Sequence, residues 1–229
     1  MTIRRLHYQI DYVHILTFRE QYKNIISRYF AFEGVEYAID EENSINERIR
    51  LFFKNESIAI FLNKESLIIL FEGDSAELKS QNGPMKIFWD IYDDVKKLNN
   101  YYRTARHILI THAVEILEED KVKNLLKNNP YLKMNPFGKL DEFSFVYEQR
   151  IDEKVYKMQY GNYSEKDIKK HELMPFKSSF NSDLKNVVGT MAKLEIFENE
   201  KTPSFNKFKT LLGESERILE KVTIKDHEI

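Results

Sequence analysis

Residues 47–72, ERIRLFFKNESIAIFLNKESLIILFE, decide the fold class. They hold three short runs rich in Ile, Leu and Phe: ERIRLFFK (47–54), SIAIFL (57–62) and LIILFE (67–72). The runs are parted by Asn55-Glu56 and by Asn63-Lys64-Glu65-Ser66. Short apolar runs broken by small polar turns are too brief for helices and have no room for crossovers, so they read as an antiparallel meander.

Upstream, residues 4–15 alternate. Leu6, Tyr8, Ile10 and Tyr12 share one face of a strand, and Arg5, His7, Gln9 and Asp11 share the other. From about Thr17 to Phe32 the period changes, and Phe18, Tyr22, Ile25, Ile26 and Tyr29 recur at helical spacing. Downstream, Gly83-Pro84 opens a second helix, because proline at the first helical position forgoes an N–H that has no partner there. Its buried stripe is predicted to be Met85, Phe88, Trp89, Tyr92 and Val95. A long strand follows over about 103–117, with Ile108, Ile110, Val114 and Ile116 on the expected apolar side. Ala105, His107, Thr111 and Glu115 fall on the other.

The rest of the chain is a short helix near 119–128, a turn-rich connection NNPYLKMNPFGK, and strands at 143–151 and 154–163 joined at Asp152-Glu153. A further strand lies over 185–197. Thr202-Pro203 starts a last helix with Phe205, Phe208, Leu212, Leu219 and Val222 along one side. That seam is expected to cover the strands of 143–163 and 185–197, where Phe143, Phe145, Tyr147 and Leu194 need burial. Strands with one apolar and one polar face indicate antiparallel sheet covered on one side. The expected class is therefore α+β, antiparallel sheet with amphipathic helices on one face, in one compact unit or as two ferredoxin-like or related halves. Residues 1–128 form a β-α-β-β-β-α-β half, and residues 129–229 a β-rich half closed by the long helix.

Three segments, FFKNESIAIFLNKESLIIL, PMKIFWDIYDDVKKL and ARHILITHAVEI, together with the closing FNKFKTLLGESERILEKVTIKD, resemble a sporadically distributed, uncharacterised family of bacterial proteins of two-half α+β architecture. The resemblance implies a fold and carries no activity.

Composition narrows the function classes. Among 229 residues there is no cysteine, which removes disulfides and thiolate chemistry and fits a reducing cytoplasm. No run approaches the ~18 apolar residues of a membrane span, and the start, MTIRRLHYQIDYVHI, reads as a strand and not a signal peptide. Thirty-five Lys and Arg against 37 Asp and Glu give a net charge of −2, unlike the basic excess of a dedicated duplex binder. The P-loop, GxGxxG, nucleophile-elbow, HExxH and EF-hand patterns do not occur.

The candidate sites are clusters. Tyr101, Tyr102, Arg103, Arg106 and His107 combine cations with aromatics at the entry to the long strand, a pattern suited to phosphate contact and base stacking; a cation-neutralised helix end followed by ordinary strand aromatics is the plainer alternative. Tyr156, Tyr160 and Tyr163 with Lys154 and Lys157 form a second such group. Asp90, Asp93 and Asp94 stand at i, i+3 and i+4, a spacing able to hold a divalent cation, but Lys96 and Lys97 follow at pairing distance and favour a solvated charged face. His171 lies beside Asp167 and Glu172. His7, His14, His107 and His112 sit on two strands, yet His7 with His107 and His14 with His112 have different position sums, so one antiparallel register cannot align both pairs. Parity sends His14 and His112 to apolar faces and His7 and His107 to polar ones. No metal or cofactor is expected. The favoured expectation is a cytoplasmic, non-catalytic binding or assembly component of a bacterial multiprotein system, with a protein partner or self-association and no membrane. A nucleic-acid-binding accessory protein is the alternative, and a hydrolase with a dispersed site comes third.

Overall fold

The computed structural model describes residues 1–80, 82–128, 144–163, 183–184, 187–199 and 202–222. In chain order these form β1 (Thr2–Tyr12), α1 (Phe18–Ile26), β2 (Val35–Asp40), β3 (Arg48–Phe53), β4 (Ile58–Leu62), β5 (Ser66–Phe71), α2 (Pro84–Val95), β6 (Thr104–Leu117), α3 (Glu119–Asn128), β7 (Ser144–Ile151), β8 (Lys154–Tyr163), β9 (Val188–Glu198) and α4 (Phe205–Val222). The turn-rich connection, Phe143, the His171 region and the end of the chain after 222 lie outside the described residues.

All nine strands join one antiparallel sheet in the order β2-β3-β4-β5-β1-β6-β9-β8-β7. The order has an internal logic. β1 is followed by a helix, a meander that returns to β1's own flank at β5, and a second helix. β6 is followed in the same way by α3, a meander ending on its flank at β9, and α4. The two units meet back to back at the antiparallel β1–β6 pair, an approximate two-fold arrangement with no residue-level repeat behind it. The sequence pattern missed β2, VEYAID, because an outermost strand carrying Glu36 and Asp40 lacks the apolar density of its neighbours.

Local chemistry sets the turns. In the β4–β5 connection the Asn63 side chain accepts hydrogen bonds from the Glu65 and Ser66 N–H groups, both at 2.8 Å, so the side chain replaces a missing backbone partner. At the β6–β9 seam Gly189 is required, since a Cβ there would stand 2.0 Å from the Glu115 carbonyl oxygen.

The helices cover one face. Under them Leu6, Tyr8 and Ile10 of β1, Leu51 and Phe53 of β3, Leu109 and Ala113 of β6 and Leu194 and Ile196 of β9 make one continuous core. Two sequence expectations are corrected here. On α2, Ile91 is fully buried and Trp89 only partly, because the stripe runs Met85, Phe88, Ile91, Tyr92, Val95 and leaves Trp89 on its shoulder against Tyr8, Phe88 and Tyr92. On β6 the faces are exchanged. The helix-covered side carries His107, Leu109, Thr111 and Ala113, while Ile108, Ile110 and Val114 point to the opposite side. Parity misleads because the polar members have partners inside the core: Tyr8 Oη stands 2.9 Å from His107 Nδ1, and Thr111 Oγ1 shares a 2.7 Å hydrogen bond with Ser215 of α4.

α4 reaches further than expected. It lies over β9 and β6 and sets the Phe208 ring 5.0 Å from that of Tyr8 on β1. Leu194 is buried beneath it, whereas Tyr147 on β7 remains 55% exposed.

Opposite the helices, Arg5 and Glu72 form a buried ion pair. Beside it a polar chain runs His7–Gln9–Asp11–Arg106, ending in a 2.7 Å ion pair. The β1–β6 register places His7 opposite Ile110 and His112 opposite Arg5, so these histidines do not face one another. His14 lies beyond β1, exposed, with Nδ1 3.5 Å from Glu65.

Candidate binding cleft

A concavity lies where α4 parts from the outer strands β7, β8 and β9. It encloses about 430 Å³. Its floor is Tyr156, Met158 and Leu194, one wall is Tyr147, Gln149 and Ile151 of β7, and the other is Glu214, Arg217, Ile218 and Lys221 of α4. Strand alternation produces the floor, since Tyr147 pairs with Met158 and Met158 with Leu194, which puts all three on the helix-covered face. Helical spacing produces the wall: Glu214, Arg217, Ile218 and Lys221 fall at i, i+3, i+4 and i+7, a stripe beside the buried seam.

Glu214 is the anchor. It accepts from Lys154 Nζ at 2.8 Å and from Tyr156 Oη at 2.5 Å. Burial pushes its carboxyl upward, but the Lys154 and Tyr156 hydrogen bonds, with the charges of Lys154 and Arg217, outweigh this and hold it below the ordinary glutamate value. Burial and the Glu214 carboxylate in turn raise the Tyr156 phenol. A carboxylate held ionised and doubly engaged organises a surface and is poorly placed to shuttle protons. Arg217 and Lys221 have no ion-pair partner among the described residues and offer free positive charge at the rim.

His107 is completely buried. Glu198 Oε2 lies 3.4 Å from its Nε2, outside hydrogen-bonding alignment. Burial, reinforced by Lys207 and Lys154, lowers the imidazole to about 4. Folded His107 therefore stays neutral while the unfolded chain's histidine protonates below about 6.5. The unfolded state then binds more protons, so stability is fully present above about pH 6.5 and is lost progressively as pH falls towards about 4. His7, also lowered by burial first, acts in the same direction. The His107 contribution over that window is about 3 kcal/mol. Denaturant melts at stepped pH are expected to show the decline, and His107→Gln is expected to flatten it relative to the parent.

The clusters singled out in the sequence are dispersed. Tyr101 is half-buried, its hydroxyl 3.2 Å from Tyr92 Oη and 2.9 Å from Thr104 Oγ1. Arg106 turns to Asp11 on the open face, and His107 turns into the core. Only Tyr102, 76% exposed, and Arg103, 5.6 Å above its ring, meet at the surface. In the second cluster Tyr156 and Tyr160 share the cleft-side face of β8, while Lys157 and Tyr163 occupy the other. Asp90, Asp93 and Asp94 are neutralised by Lys86, Lys96 and Lys97, with Arg28 also on Asp94. Among the described residues no group of three or more His, Asp or Glu side chains gathers to hold a metal, and no helix is long and apolar enough to cross a membrane. The α4 wall was missed in the sequence, although the charged stripe at 214, 217 and 221 beside an apolar seam was there to read.

Compared with known proteins, the chain matches no family model, no curated protein and no solved structure.

Proposed function

We propose that this chain is a non-catalytic assembly component that acts by presenting its β7–β8–β9–α4 surface to another protein chain. One observation carries the reading. The cleft opens onto the β7 edge, which has no further strand partner among the described residues, and Tyr147 and the 47%-exposed Ile151 stand outward there beside unpaired charge. A strand edge with open backbone groups and apolar side chains is a template for another chain unless charge or proline blocks it. Exposed aromatic and aliphatic anchors beside a pocket are the features that concentrate binding energy in protein interfaces.

The other edge has its side chains already engaged within the chain. On β2, Glu36 pairs with Lys54, and Asp40 with Arg48 and Arg50. Tyr37 is stacked on Phe30 at 4.4 Å.

The test is the mass of the intact purified chain, alone and mixed with the products of neighbouring genes. A species heavier than 27.4 kDa is expected, and Tyr147→Asp/Ile151→Asp is expected to dissociate it while the melt of the free chain stays near the parent's. A constant 27.4 kDa under every condition overturns the reading. A nucleic-acid role rests on Tyr102 and Arg103, and it gains only if single-stranded nucleic acid is retained and Arg103→Ala releases it.

A further inference from the structure

We infer that the partner at the β7 edge is a second copy of this chain, paired β7 to β7 in one register with Gln149 on the two-fold axis. The inference rests on the assembly reading above and names its occupant.

A two-fold axis normal to the sheet sets two β7 strands antiparallel and keeps both helix layers on the same side. Residues opposite one another then share a face, and their numbers sum to an even constant. With Gln149 on the axis, Glu148 lies opposite Arg150 of the second copy, and Arg150 opposite its Glu148. Tyr147 lies opposite Ile151, and Ile151 opposite Tyr147. The charged pairs occupy the open face and the apolar pairs the cleft face, each occurring twice.

Of the registers centred on residues 146 to 150, the other four fail on charge. Glu148 on the axis faces its own copy. Arg150 on the axis does the same and sets Glu148 against Asp152. Tyr147 on the axis puts Val146 against Glu148 and Ser144 against Arg150, so neither charge is met. Val146 on the axis leaves Arg150 beyond the paired segment. The free chain supplies the motive for the favoured register. Glu148 and Arg150 are exposed and have neither an ion-pair nor a hydrogen-bond partner among the described residues, even though Lys157 stands across from Glu148 on β8. Opposite charges directly across a strand pair stabilise it and like charges oppose it. The cleft is also completed by this pairing. Its β7 wall, Tyr147, Gln149 and Ile151, is the row that meets the second copy, so the two clefts join across the axis into one groove lined by both chains.

Because the chain has no cysteine, single cysteines report the register cleanly. Position 149 meets itself across the strands at about 5 Å between Cα atoms, within disulfide reach. Position 147 is displaced from its own copy by about 13 Å along the strand. Under mild oxidation Gln149→Cys is expected to convert most of the chain to a covalent dimer, and Tyr147→Cys to give almost none. Arg150→Glu is expected to weaken self-association about tenfold, since two pairs are lost together, and Glu148→Arg/Arg150→Glu to restore it. If the Gln149→Cys variant forms a non-covalent dimer whose introduced thiols stay unlinked, the register is overturned and the assembly reading stands. A chain that is monomeric alone but joins a different protein overturns the second-copy partner only. A monomer under all conditions overturns both.

Discussion

Replacing Phe208 by alanine is expected to destabilise the chain by about 3–5 kcal/mol, the cost of emptying a fully packed aromatic site. Phe208 is completely buried and is the point where α4 meets the sheet centre. Its ring lies edge-on to Tyr8, and Tyr8 in turn packs against Phe88 of α2 at 5.5 Å and holds His107. Three aromatic residues from three elements thus close over one tyrosine in the middle of β1. The void cannot collapse easily, because Leu211 and Leu212 beside it are already buried. Equilibrium denaturation checks the result through a large fall in midpoint. A change below about 1 kcal/mol, far under the cost of such a cavity, would mean that α4 does not seal the core.

Glu72→Gln is expected to cost a comparable 3–5 kcal/mol, roughly the penalty for breaking a buried ion pair by removing one partner. Arg5 and Glu72 are 8% and 6% exposed, and Arg5 Nε donates to Glu72 Oε1 at 2.8 Å. The pair ties the start of β1 to the end of β5 on the face away from the helices. Removing one partner leaves the other desolvated. Removing both with Arg5→Met/Glu72→Leu is expected to recover most of the loss, since an apolar pair has no such desolvation cost. A double variant no better than the single would show that the side chains act through neighbours other than each other.

Much of the fold was legible because its signals are local. The meander of residues 47–72, the Pro84 start of α2 and the Asp152-Glu153 hairpin each depend on a few adjacent residues. The failures share a physical cause, which is that long-range partners override local pattern. β6 is a central strand with buried residues on both faces, so alternation alone cannot say which face meets the helices. Thr111 belongs in the core only because Ser215, over a hundred residues away, supplies a hydroxyl. Trp89 and Ile91 compete for the α2 stripe, and the smaller side chain takes the centre. The Tyr-Arg cluster looked coherent in one dimension. Once β6 begins at Thr104, successive side chains alternate faces and Arg106 parts from His107. The cleft was illegible for the converse reason: its two walls, on β7 and α4, lie far apart in the chain, and only the packing of α4 brings them together.

The most direct test of β7-to-β7 self-pairing is backbone hydrogen exchange on the unmodified chain, compared between dilute and concentrated solution. The β7 amides whose N–H groups point away from β8 are expected to exchange freely when dilute and to become protected on concentration, with the β2 edge unchanged. Protection that fails to appear on β7, or appears on β2 instead, would contradict the account.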